Sequence, residues 1–107
     1  MFKIKANPTF EATVKIPTPE GEQSLTLVFK HKTRQQVKEF FAAVAAEEQG
    51  DGAQEGARMC ELIEGWKDVD APFSQAAISD LVQNYHAAPS AIFEAYIGAL
   101  TQAKQGN

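Results

Sequence analysis

The sequence predicts an α+β fold in which an N-terminal antiparallel β-hairpin packs with about four short amphipathic α-helices. Three features carry that expectation. Apolar residues alternate with polar ones between Phe10 and Lys30; beyond Thr33 they recur at three- and four-residue spacing; and residues suited to starting helices stand at Thr33, Ser74 and Pro89.

In the first strand Phe10, Ala12, Val14 and Ile16 share one face, with Glu11, Thr13 and Lys15 on the other. Pro17, Thr18, Pro19, Glu20 and Gly21 supply fixed-φ and positive-φ turn positions, after which Leu25, Leu27 and Phe29 stand opposite Thr26, Val28 and Lys30. A lone hairpin is marginal in water, so its apolar face must rest on the helices that follow.

Thr33 and Gln36 have the spacing of a capping box, in which the Thr hydroxyl accepts from the Gln36 N–H while the Gln side chain reaches back. Val37, Phe40, Phe41 and Val44 then form an apolar stripe about 100° wide. Gly50, Asp51 and Gly52 are expected to end this helix and, with Glu47 and Glu48, to form a mobile loop. A second helix is expected from near Gln54 to Glu64, with Met59, Leu62, Ile63 and Trp66 on one side. Gly65 stands where a left-handed cap would stop it before Trp66; otherwise Trp66 continues the stripe.

Ser74 is expected to cap a third helix while Phe73 staples onto Ile78, with Ile78, Leu81, Val82 and Tyr85 on the buried side. Pro89 suits the first turn of a fourth helix, where its missing N–H costs nothing. There Ile92, Phe93, Tyr96, Ile97 and Leu100 occupy an arc of about 140°, wide for a small core. Any part of that arc left uncovered is a partner-binding surface; taken singly, Trp66, Phe93 and Tyr96 are core residues or interface anchors. The polar tail Gln102 to Asn107 is expected to fray.

The chain has 107 residues, 44% hydrophobic and 22% charged, which fits one domain over 1–107, hairpin about 10–31 and helical part about 33–104. Its longest apolar run, Phe40 to Ala46, is far below the roughly 20 residues that span a bilayer, and Met1 to Lys5 leads into no apolar signal region. A membrane partner is therefore not expected, and a cytoplasmic location is. A lone cysteine, Cys60, agrees with a reducing compartment. The formal charge of -4 opposes association with phosphate backbones, and the one basic cluster, Lys30, His31, Lys32 and Arg34, has no interleaved aromatic platform. Nucleic acid is not an expected partner.

Neither His31 nor His86 stands at zinc-pair spacing from Cys60, and Asp68 and Asp70 lack the further ligands, central glycine and terminal glutamate of a calcium loop. Gly50 and Gly52 precede no Gly-Lys-Ser or Gly-Lys-Thr, and no Gly-x-Ser-x-Gly elbow occurs. Cys60 beside Glu61 reads as a structural thiol. No catalytic, metal or cofactor-binding set is assigned.

The run Gly65, Trp66, Lys67, Asp68, Val69, Asp70, Ala71, Pro72, Phe73, Ser74, continued through Leu81, Tyr85, Ala88, Pro89, Ile92, Ala95, Tyr96 and Leu100 to Gly106 and Asn107, carries a resemblance. It resembles the tail assembly chaperones of long-tailed, non-contractile (lambda-like) bacteriophages, best from about Leu62 onward and more weakly back to Phe10. The resemblance implies a non-enzymatic protein without cofactor that binds the long, helical tape measure protein and keeps it soluble during tail assembly. It also implies self-association, location in the host cytoplasm and absence from the mature virion. This chain would be the short form ending at Asn107, with a longer frameshifted form and the tail tube protein as further partners. The alternative is a small cytoplasmic adaptor or regulatory domain docking one partner. Neighbouring genes discriminate: a tail tube gene upstream and a very long helical gene downstream favour the chaperone.

Overall fold

The computed structural model describes residues 1–47 and 52–101. Strands β1 (Thr9–Thr18) and β2 (Gly21–Lys30) pair antiparallel without interruption, from Thr9 opposite Lys30 to Thr18 opposite Gly21. Only Pro19 and Glu20 remain for the turn, so Pro17 and Thr18 belong to β1. An edge strand tolerates Pro17, whose missing N–H leaves no ladder bond unmade on its open side. Gly21 takes φ +112°, open to glycine but strained for other residues, and Glu20 donates its backbone N–H to Thr18 Oγ1 at 3.2 Å.

The second helix starts and ends about two residues earlier than its apolar spacing predicts. It spans Gly52–Leu62, and the chain continues as strand β3 (Ile63–Lys67) paired antiparallel with β2. Ile63 and Trp66 are therefore strand residues, opposite Phe29 and Leu27, and Gly65 lies opposite Val28 rather than capping a helix. Glu64 is the extra residue of a bulge, which sets the two core-facing side chains three positions apart instead of two. The sheet has the order β1-β2-β3.

We number the helices α1 (Arg34–Ala46), α2 (Gly52–Leu62), α3 (Gln75–Asn84) and α4 (Ala88–Thr101). Both halves of the expected capping box are present at α1: Gln36 N–H donates to Thr33 Oγ1 at 3.1 Å, and Thr33 N–H to Gln36 Oε1 at 2.8 Å. α1 ends at Ala46, earlier than expected, where Glu47 donates its backbone N–H to the Val44 carbonyl. Glu48, Gly50 and Asp51 of the expected loop lie outside the described residues, as does the tail Gln102 to Asn107, whereas Gly52 opens α2. Pro89 lies in the first turn of α4.

One face of the sheet carries the core. Val14, Ile16, Leu27, Phe29 and Ile63 are buried there with Met59 and Leu62 of α2, Ile78 and Val82 of α3, and Ile92 and Tyr96 of α4. The other face keeps Glu11, Thr13 and Lys15 exposed, the polar-out pattern of an antiparallel sheet wetted on one side. Across it Lys67 Nζ pairs with Glu11 Oε2 at 2.6 Å, both half exposed, a pair worth at most about 1 kcal/mol.

Ser74 caps α3, its hydroxyl accepting from the Ala77 N–H at 3.0 Å. Ser74→Ala is expected to lower stability by about 0.5–2 kcal/mol. The measurement is a denaturant melt, with the midpoint falling and the slope unchanged. Phe73, expected to staple onto Ile78, sets its ring edge-on to Trp66, with 5.1 Å between centroids.

Candidate partner-binding surface

α4 runs against β1, and its buried residues Ala88, Ile92 and Tyr96 recur every fourth position. That spacing forms one stripe along a helix, here turned into the core. The Tyr96 ring lies between Phe10 and Phe29, at 5.7 and 5.1 Å between centroids, and its O–H donates to the Lys30 carbonyl at 2.7 Å. The hydroxyl that a buried tyrosine must satisfy thus ties α4 to the last residue of β2.

Of the five side chains expected to face a partner, Ile92 and Tyr96 are fully buried, while Phe93, Ile97 and Leu100 are half-buried. The latter three lie about 100° around the helix from the buried stripe. α1 partly shields this flank. Phe93 meets Phe41 at 5.3 Å and Phe40 at 6.1 Å, both edge-on, the arrangement that ring quadrupoles favour. Phe40 is buried, with Lys32 Nζ 5.6 Å from its ring centroid; Phe41, against Phe93, remains half-buried, as does Val44 on the same helix. Sequence spacing assigns Phe40 and Phe41 to a stripe of α1 but carries no signal that they meet Phe93.

Charges fasten the far end of α1. Arg58 of α2 reaches Glu47 Oε1 with Nε at 2.8 Å and Glu61 Oε2 with Nη1 at 2.6 Å, and Gln54 donates to Glu47 Oε2 at 2.7 Å. The hydrogen bond from Arg58, then that from Gln54, holds the Glu47 carboxyl below its usual range. Cys60 is half-buried, and burial pushes its thiol up against the opposing pull of Lys30, whose Nζ donates to the Cys60 carbonyl at 3.0 Å. A protonated thiol of this kind packs as a small apolar group. Among the described residues no group of three or more His, Cys, Asp or Glu side chains could hold a metal ion, and no helix is long and apolar enough to cross a membrane.

Fold and surface together define a small α+β scaffold that leaves an aromatic and aliphatic flank half-buried. The family model of phage tail assembly chaperones matches residues 1–107, the whole chain, and the protein belongs to that family. No curated protein and no solved structure gives a significant match to the chain.

Proposed function

We propose that the protein binds the tape measure protein of a phage tail and keeps it soluble while the tail assembles. Membership of the tail assembly chaperone family over the full chain is the observation that carries this reading. It acts by reversible burial of apolar client surface rather than by turnover, in the host cytoplasm, and leaves before the virion is complete. Phe93, Ile97 and Leu100, with Phe41 against Phe93, are the surface proposed to receive a helical client. Ile92 and Tyr96 support that surface from within.

Each ~100 Å² of apolar client surface covered contributes about 2.5 kcal/mol before entropy losses. Binding of this kind survives raised salt. Co-expression of the chain with its cognate tape measure protein is expected to shift that protein from the pellet to the soluble fraction, with co-purification at low and high salt. Ile97→Glu with Leu100→Glu is expected to abolish the effect while the chain still folds cooperatively, its melting midpoint lowered because both side chains also pack on the core. A client that stays insoluble, or a complex that dissociates in moderate salt, sinks the reading in favour of an adaptor with a different partner.

A further inference from the structure

Residues Met1 to Pro8 precede β1 as an exposed arm. Phe2 and Ile4 are 88% and 95% exposed, an unusual state for large apolar side chains, and they alternate with Lys3 and Lys5. The arm bends at Ile4 and Lys5; drawn out as extended backbone, such alternation puts the two apolar side chains on one side and the two ammonium stems on the other. No acidic residue occurs before Glu11.

At the other end of β1 lies a groove of about 600 Å³ between the hairpin tip, the loop after β3 and α3. Its apolar lining comes from Ile16, Leu25, Trp66, Leu81 and Tyr85. Asp68, Asp70 and Asp80 are exposed around it, no lysine or arginine lines it, and among the described residues none of the three carboxylates forms an ion pair. The loop wall is held in place: Trp66 Nε1 donates to the Ala71 carbonyl at 2.8 Å, and the Phe73 ring braces the indole.

We infer that this groove receives the Met1–Lys5 arm of a second copy of the chain. Phe2 and Ile4 would enter the apolar lining while Lys3 and Lys5 bend their stems onto the aspartate rim, the way lysines lay methylenes on apolar surface and keep the charge outside. A copy's own arm is poorly placed for the task. It does not occupy its own groove, since Phe2 and Ile4 stand 88% and 95% exposed, and to reach the far wall at Ile16, seven residues or about 23 Å along β1 from Thr9, it would have to reverse and run fully extended. Donor and acceptor are different surfaces of the molecule, so the contact is head-to-tail and growth continues past a dimer until a ring closes or a filament forms. This interface supplies a route for the self-association included in the chaperone reading, but it requires no client.

Sedimentation velocity over a concentration series tests it. The intact chain is expected to grow in mass with concentration up to ~100 μM, and deletion of residues 1–6 or the pair Asp70→Lys with Asp80→Lys to weaken growth at least tenfold with unchanged thermal melts. An equimolar mixture of Lys3→Glu with Lys5→Glu and Asp70→Lys with Asp80→Lys is expected to restore pairing between the two variants. A synthetic peptide of residues 1–8 added to the arm-deleted chain is expected to shift the emission of Trp66, the only tryptophan, with weaker binding on going from about 0.05 to 0.5 M salt. A monomeric intact chain at ~100 μM, arm deletion without effect on association, or a peptide that leaves Trp66 emission unchanged overturns the interface. Loss of association with the client still solubilised removes this interface alone; arm-dependent association with an insoluble client removes the chaperone reading alone.

Discussion

Tyr96→Glu is expected to unfold the protein. Tyr96 is fully buried among aromatic rings, and among the described residues its O–H has one polar partner, the Lys30 carbonyl, an acceptor that a carboxylate cannot use. An unpaired charge in such a site costs several kcal/mol, a large part of the roughly 5–15 kcal/mol that holds a small domain together. Tyr96→Phe keeps the rings in contact and removes only the hydrogen bond, so it is expected to cost about 0.5–1.5 kcal/mol. Denaturant melts of the two variants separate charge burial from the lost bond.

The same residue sets an alkaline limit. Burial pushes the Tyr96 phenol up to about 12 from its ordinary 10.0. The unfolded chain therefore loses this proton first as pH rises. The stability linked to it is whole below about pH 10 and is lost progressively toward pH 12. Thermal melts across that window are expected to fall more steeply for the wild type than for Tyr96→Phe.

Gly56→Leu is expected to be the second most damaging change, and Gly56→Ala to show why. Gly56 is buried in α2 where it meets α3, and a Cβ there would overlap Ser79 Oγ and stand 3.0 Å from the Gln75 carbonyl and from Ser79 Cβ. In an open helix the change to alanine gains about 1 kcal/mol from propensity. Here overpacking, typically about 1–3 kcal/mol, opposes that gain and the net effect is destabilising. The hydroxyl can rotate or be removed, but the backbone carbonyl cannot. Gly56→Ala combined with Ser79→Ala is therefore expected to recover part of the loss, a coupling that a double-mutant cycle reads directly. Gly56→Leu must separate the two helices and is expected to lower the melting midpoint well beyond Gly56→Ala; an unchanged midpoint would show that α2 and α3 do not pack as closely as described.

The hairpin and three of the helices were legible in the residues because their causes are local. Alternation at Phe10, Ala12, Val14 and Ile16, the Thr33 to Gln36 capping box, the Ser74 cap and Pro89 each act within a few positions of themselves. β3 was not legible. Its bulge at Glu64 spaces Ile63 and Trp66 like helix neighbours, so a strand following directly on α2 imitates one more helical turn. Only pairing with Leu27 and Phe29 of β2, far away in sequence, decides that these residues extend.

The aromatic arc of α4 divides on the same principle. Its sequence by itself determined that Ile92, Phe93, Tyr96, Ile97 and Leu100 share a broad apolar side of one helix, because the positions follow from 100° per residue. Which of them are core and which remain half-exposed was decided by the tertiary structure alone: β1 and β2 cover Ile92 and Tyr96, while α1 brings Phe40 and Phe41 against Phe93 and leaves Ile97 and Leu100 partly open. Periodicity specifies a direction around a helix. Burial depends on what other segments bring to that direction, and those contacts span separations over which local residue patterns carry no information.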